Sequence, residues 1–161
     1  MTETFVEILI MLLATNGGPI LAARIFRHRG TAPVDLGRQL ADKRPLFGSS
    51  KTWRGLVAAL AVSCGLSAIF GYGIEFGLVF GLLVMAGDLI SSFVKRRCGL
   101  QSSDQFLGLD QIPESLLPAL YTVVALDIAW VWAVLWSAAF MLLELLISKP
   151  LFLLRIRKRP Y

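Results

Sequence analysis

The chain has 161 residues, 56% of them hydrophobic and 17% charged, with a mean hydropathy of +0.68. That apolar load exceeds an ordinary soluble domain, excludes a disordered chain, and at this length leaves room for one small membrane bundle but no repeat array. The net charge of +5 would suggest nucleic acid in a soluble protein, and here has first to be tested against membrane topology.

The first element, residues 5–25, reads as a spanning helix of about 20 residues, the length a bilayer core requires. Its flank carries Glu3 and Glu7 and no basic stretch, which argues against a signal peptide. A second span is expected over 53–72, closed by the turn signal Gly71-Tyr72-Gly73. A third covers 76–94 and ends in Lys95-Arg96-Arg97. From 112 to 154 the sequence is nearly all apolar, enough for two antiparallel helices over 112–127 and 130–154. Asp127 with Trp130 and Trp132 marks the turn between them, and Pro113 and Pro118 predict irregularity in the fourth span.

All 16 Lys and Arg fall in three clusters, eight between Arg24 and Arg54, three at Lys95 to Arg97 and five between Lys149 and Arg159. With five spans, all three lie on one side, and the other side carries only Glu3, Glu7, Glu75 and Asp127. This positive-inside pattern predicts an all-α polytopic membrane protein, a single membrane domain over 1–161. Its N-terminus lies outside and its C-terminus in the cytoplasm. Cytoplasmic loops cover 26–52 and 95–111, and the basic tail 155–161 anchors at anionic headgroups. The location is an inner or plasma membrane with the polar centre facing the cytoplasm. The charge is then a topology signal, and nucleic acid is not an expected partner.

Cys64 and Cys98 supply neither a disulfide framework nor a cysteine zinc site. A single histidine, His28, excludes a multi-histidine metal centre and makes Ser-His catalysis a poor candidate.

Polar residues in membrane segments are costly, so each needs an account. The loop 26–51 is long for a small bundle and gathers cations, hydroxyls and glycines from Asp42 to Gly55, beside a helix N-terminus that favours anions such as phosphate. A solvated basic loop is the plainer alternative. Ser50-Lys51-Thr52 is not a P-loop, because Ser50 and Pro45 stand where that motif needs glycine. In the third span Asp88, Ser91 or Ser92, and Lys95 share a helix face, with Asp88 about 10 Å inside the membrane. Asp88 then either pairs with Lys95 along the helix or faces a cavity, a partner or a cation. Asp110 and Glu114 lie at the entry to the fourth span, with Pro113 arguing against regular helix between them. They form either an acidic turn before a helix or, together with Asp88, carboxylates that hold Mg²⁺ with substrate phosphates and water. Carboxylates, cations and an apolar bundle suit phosphoryl or nucleotidyl transfer to a lipid head group. A lipid phosphate monoester has a second pKa of about 6 and is a nucleophile at neutral pH without a histidine base.

At these residues the chain resembles the CDP-archaeol synthase family of membrane cytidylyltransferases, relatives of the CDP-diacylglycerol synthases. The similar residues are Asn16 to Pro19, Pro33 to Gly37, Arg44 to Gly48, Lys51 to Gly55, Gly87-Asp88 through Ser92, Phe93 and Lys95 to Arg97, and Asp110-Gln111. They cover residues 16 to about 118. Two positions depart from the family pattern. Lys43 stands where a glycine is usual, and Pro113, followed by Glu114, where the third motif usually ends in aspartate.

The resemblance implies transfer of CMP from CTP to a lipid glycerol phosphate, giving a CDP-activated lipid and pyrophosphate. It implies Mg²⁺ on Asp88 and Asp110, and Lys51, Arg54, Lys95, Arg96 and Arg97 on phosphates. Asn16, Thr52, Ser92 and Gln111 would orient nucleotide or lipid, and Asp35 would order the first loop or touch the nucleotide. Gly17, Gly18 and Pro19 either loosen the first helix or pack it against a neighbour. Glu144 has no motif around it and reads as a buried partner for another helix. The competing functions are a CTP-dependent lipid kinase and a non-catalytic anionic-lipid-binding protein. Carboxylates at an anionic surface disfavour the latter. Oligomeric state is not readable from these patterns.

Overall fold

The computed structural model describes residues 2–27, 29–102, 104 and 106–153, with side chains as far as Ile147. His28, the end of the fifth expected span and the basic tail lie outside the described residues. The described chain forms five helices, α1 (Thr2–Phe26), α2 (Trp53–Ile69), α3 (Ile74–Arg97), α4 (Gln111–Ala125) and α5 (Val131–Leu153). Among the described residues there are no strands, only the isolated bridges Pro33 with Thr52 and Gln39 with Pro45.

The acids and bases sit where helix dipoles favour them. Glu3 lies in the first turn of α1 and Arg24 in its last, and Glu75 opens α3, which ends in Lys95, Arg96 and Arg97. α2 stops at Ile69, three residues before its expected end, because Gly71 and Gly73 take positive φ and the Tyr72 amide donates back to Ser67 O. α4 corrects the expectation of irregularity. It begins at Gln111 and runs unbroken through Pro113 and Pro118. Pro113 falls in the first turn, where its missing N–H is not needed. Asp127, with φ of 50°, turns the chain into α5.

Successive helices pack side by side, α3 also touches α1, and α5 returns to α1, closing the bundle. Phe76, Phe80, Val84, Trp136 and Phe140 fill its centre with Ile8, Met11 and Leu12. The outer faces are apolar and exposed, at Val57, Val134 and Leu146 among others. Helices this apolar outside are held by close packing and interhelical hydrogen bonds. A Cβ on Gly77 would lie 2.7 Å from Cys64 Cα, and Ser63 Oγ donates to Gly77 O at 2.7 Å. Gly18 and Pro19 serve the same purpose at the α1–α2 contact, where a Cβ on Gly18 would meet Ala58 O at 3.4 Å and one on Gly55 would meet Pro19 Cβ at 3.1 Å. α1 stays continuous through them. Opposite the basic loops, Tyr72 Oη donates to Glu7 at 2.6 Å and Trp136 Nε1 to Phe5 O at 3.1 Å.

α1 and α3 are each long and apolar enough to cross a membrane. The ends of α1, α3 and α5 and the starts of α2 and α4 share one end of the bundle, where loops 27–52 and 98–110 meet.

Candidate active site

The longer loop is built around Asp35. Its buried carboxyl accepts hydrogen bonds from the amides of Gly37 (3.0 Å), Phe47 (2.9 Å) and Gly48 (3.1 Å). Burial works against its ionisation, but the three amides outweigh it and hold the pKa below the ordinary aspartate value. Asp35 therefore orders the loop, one of the two roles open to it in the sequence.

This loop is strapped to the end of α3 and to the second loop. Arg97 donates to both oxygens of Asp42 (2.6 and 2.7 Å) and to the carbonyls of Arg44 and Pro45. Arg44 returns a bond to Arg97 O at 2.6 Å, and Ser102 Oγ joins Ser50. Between the loops lies a cavity of about 460 Å³, lined by Asp35, Arg44, Ser49, Arg96, Gln101 and Ser102 among others. Arg96 is 4% exposed, and its buried Nε has no hydrogen-bond partner.

Behind residues 48–52 lies the charged centre. Lys51 Nζ donates to both oxygens of Asp88, at 2.6 and 2.7 Å. Burial opposes the charge on Lys51, but Asp88 overrides it, with Glu114 and Asp110 adding to the effect, so its pKa lies above the usual lysine value. Lys95, 7% exposed, is ion-paired with Asp110 at 2.5 Å and donates to Asp104 O at 3.0 Å. The pairing of Asp88 with Lys95 along α3 is therefore not what forms. Both residues reach across to other elements. A small cleft of about 60 Å³ beside Lys51 and Asp88 is lined also by Ser50 and Thr52 and by the apolar Pro19, Leu56, Met85 and Leu89.

The other candidates divide into two groups. Ser92 and Gln111 are buried near the centre, and Gln111 Oε1 accepts from the Gly108 amide at 2.8 Å. Asp110 Oδ2 accepts from the Phe106 amide, so this acid also fixes the turn before α4. Away from the centre, Asn16 donates to Leu12 O in its own helix. Thr52, which lines the cleft beside Lys51 and Asp88, caps α2 by accepting from the Gly55 amide. Arg54 ties the chain after α1, donating to Arg27 O and Arg29 O at 2.9 and 2.6 Å, and Arg97 is spent on the strap. Asp42 and Arg44 enter the sequence reading only as members of longer stretches with no role of their own, and Ser102 does not enter it.

The donor chemistry fits a hard divalent cation. Asp88 and Asp110 carry carboxylate oxygens, each now held by a lysine ammonium, Asp110 Oδ1 being buried 2.5 Å from Lys95 Nζ. Among the described residues no three acids, histidines or cysteines are gathered closely enough to hold an ion by themselves. One or two carboxylates completed by phosphates and water are the usual setting for Mg²⁺.

The family model described as CarS-like, CDP-archaeol synthase, matches residues 4–78. The chain is similar to the CDP-archaeol synthase of Saccharolobus islandicus (strain Y.N.15.51 / Yellowstone #2), with 35% identity over 137 residues, 80% of this chain and 78% of that protein. It is similar to the CDP-archaeol synthase of Aeropyrum pernix, with 34% identity across 99% of this chain and 94% of the relative. A solved structure of an intramembrane enzyme for archaeal membrane lipid biosynthesis superposes with a TM-score of 0.75 at 29% identity, covering 89% of this chain and 91% of that one.

Proposed function

This chain belongs to the CDP-archaeol synthase family, and from that premise we propose a membrane cytidylyltransferase that transfers CMP from CTP to a lipid glycerol phosphate. A phosphate oxygen of the lipid attacks the α-phosphorus of CTP. A new P–O bond forms, the α–β bond breaks, and pyrophosphate leaves with its electron pair. The product is a CDP-activated lipid of the CDP-archaeol type.

The observation that carries this reading is the Lys51–Asp88 pair, which lines a small cleft toward the bundle, with a larger cavity among the loops that reaches buried Arg96. CTP enters the larger cavity from the cytoplasm, and the lipid phosphate reaches the cleft from the bilayer. Lys51, Lys95 and Arg96 hold phosphate oxygens in a site that excludes water, where charge neutralisation counts most. A Mg²⁺ ion on Asp88 and Asp110 would neutralise polyphosphate charge and orient the leaving group. Phosphates draw the two lysines from their aspartates, so the carboxylates become free for the cation as the nucleotide arrives.

We place the five helices in the membrane as one domain, N-terminus outside, with the loop end and its site in the cytoplasm. The clustering of the basic residues at that end supports the orientation. The test is turnover by purified protein in detergent with CTP, Mg²⁺ and a panel of ether and ester lipid phosphates. The CDP-lipid is followed by mass, and its formation with one lipid class identifies the substrate. No CDP-lipid from any member of the panel would count against the reading.

A further inference from the structure

We infer that Arg97 is a positioning residue of this reaction, which clasps the hairpin 39–45 to the end of α3, sets the loop cavity against Arg96 and does not itself touch phosphate. The inference rests on the cytidylyltransferase reading and changes one of the roles that the resemblance implies.

The hairpin is closed by the bridge of Gln39 with Pro45. Lys43 N donates to Leu40 O at 2.9 Å, and Lys43 takes the positive φ, 59°, that the tight turn needs. Asp42 Oδ1 accepts from the Arg44 amide at 3.1 Å. Arg97 Nη1 donates to both oxygens of the same carboxylate, and Nη2 to the carbonyls of Arg44 and Pro45. The remaining donor, Nε–H, is buried and bonds to no described residue. Phe93, one turn back on α3, holds the guanidinium over its ring, 5.3 Å from the centroid. Of the described residues, Arg96 lines the loop cavity, whereas Arg97 lines neither the cavity nor the cleft.

The clasp is reciprocal. Arg44 Nη1 donates to Arg97 O at 2.6 Å and Arg96 O at 3.4 Å, carbonyls at the open end of α3. Gly99, with φ of 81°, makes room for it, since a Cβ there would lie 3.4 Å from the Arg44 guanidinium. A lone exposed ion pair contributes little, and the Asp42 side chain is 41% exposed. Here the two-pronged contact belongs to a network of two arginines, one carboxylate and four carbonyls, which fixes geometry as well as adding energy. The consequence falls on the cavity. Its lining comes from the first loop at Arg44, Pro45 and Gly48, and from α3 and the second loop at Arg96, Gly99 and Ser102. The clasp joins these two sides, so it sets the width of the space into which Arg96 reaches.

The experiment measures KM for CTP and kcat for CDP-lipid formation by the full chain in detergent. Wild type, Asp42→Asn, Arg97→Gln and the double variant are compared, with melting temperatures on the same preparations. Asparagine at 42 can still accept from the Arg44 amide and gives up the charge. Each single variant is expected to raise KM for CTP about tenfold, with kcat changing less. The double variant is expected to match the more affected single one, because both changes break one contact. An Arg97 that holds phosphate itself is only released by Asp42→Asn, so a KM for that variant within twofold of wild type, or below it, overturns the inference. A double variant whose KM rises by the product of the two single effects also overturns it. Should Arg97→Gln fail to fold, Asp42→Asn decides alone by the same twofold limit. A wild type that makes no CDP-lipid brings down the functional reading together with the inference. An active wild type with an unaffected Asp42→Asn brings down the inference alone.

Discussion

Lys51 and Asp88 meet in a two-pronged ion pair, the ammonium donating to both carboxylate oxygens at 2.6 and 2.7 Å across 37 residues of sequence. The pair joins the end of the first long loop to the middle of α3. It thus couples the loop that lines the larger cavity to the helix that carries most of the charged centre. The same contact holds the loop against the helix through two short charge-assisted hydrogen bonds in a half-buried place.

The closest helix contact at the site is testable by a single methyl group. Gly87→Ala puts a Cβ into the Pro113 carbonyl and the Glu114 backbone, neither of which can move without shifting α4. A loss of about 1–3 kcal/mol is expected, seen as a lower melting temperature in detergent, together with reduced turnover. Gly17→Ala is the control. Nothing lies within 4 Å of its Cβ, and in a helix interior the change is expected to be neutral or to stabilise by up to about 1 kcal/mol.

Asp35 gives a pH signature. Its folded pKa lies below the ordinary value of 3.8, so its stabilising contribution is fully present above that value and is lost as pH falls through the folded pKa. The melting temperature of the wild type should exceed that of Asp35→Asn by a constant margin from pH 5 to 7. The margin should shrink as the pH drops below about 4. A margin that grows on acidification would contradict the amide-held carboxylate.

Arg54 and Lys51 lie three residues apart and should separate in kinetics. Arg54 is spent on the carbonyls of Arg27 and Arg29, so Arg54→Ala should lower thermal stability while changing the KM for CTP less than Lys51→Ala does. Lys51→Ala should reduce kcat/KM by about 100-fold or more, as expected when a donor aimed at developing charge is removed. Steady-state kinetics and thermal melts on the same preparations compare the two.

Much of this arrangement is legible in the sequence, for reasons that also mark where legibility stops. Long apolar runs broken by Gly71-Tyr72-Gly73 and by Asp127 locate helices because backbone and hydropathy constraints are local. Asp88, Lys95, Arg96 and Asp110 stand out because charge among apolar residues needs an explanation. Their partners do not stand out. Asp88 and Lys95 share a helix face, but seven residues of helix separate them by about 10 Å, and the pairing is decided by which loop folds over α3. Pro113 misleads in the opposite direction, since a proline that would break a helix interior is harmless in a first turn. The amides around Asp35 come from residues 37, 47 and 48, and no spacing rule announces such a turn.

The most direct test of the account follows the phosphates of CTP in wild type and in Asp88→Asn, with the preferred lipid phosphate and Mg²⁺. The account predicts one pyrophosphate released per CDP-lipid formed by the wild type, and a fall of at least about 100-fold in Asp88→Asn. Release of CDP with a newly phosphorylated lipid, or equal rates in the two proteins, would contradict it.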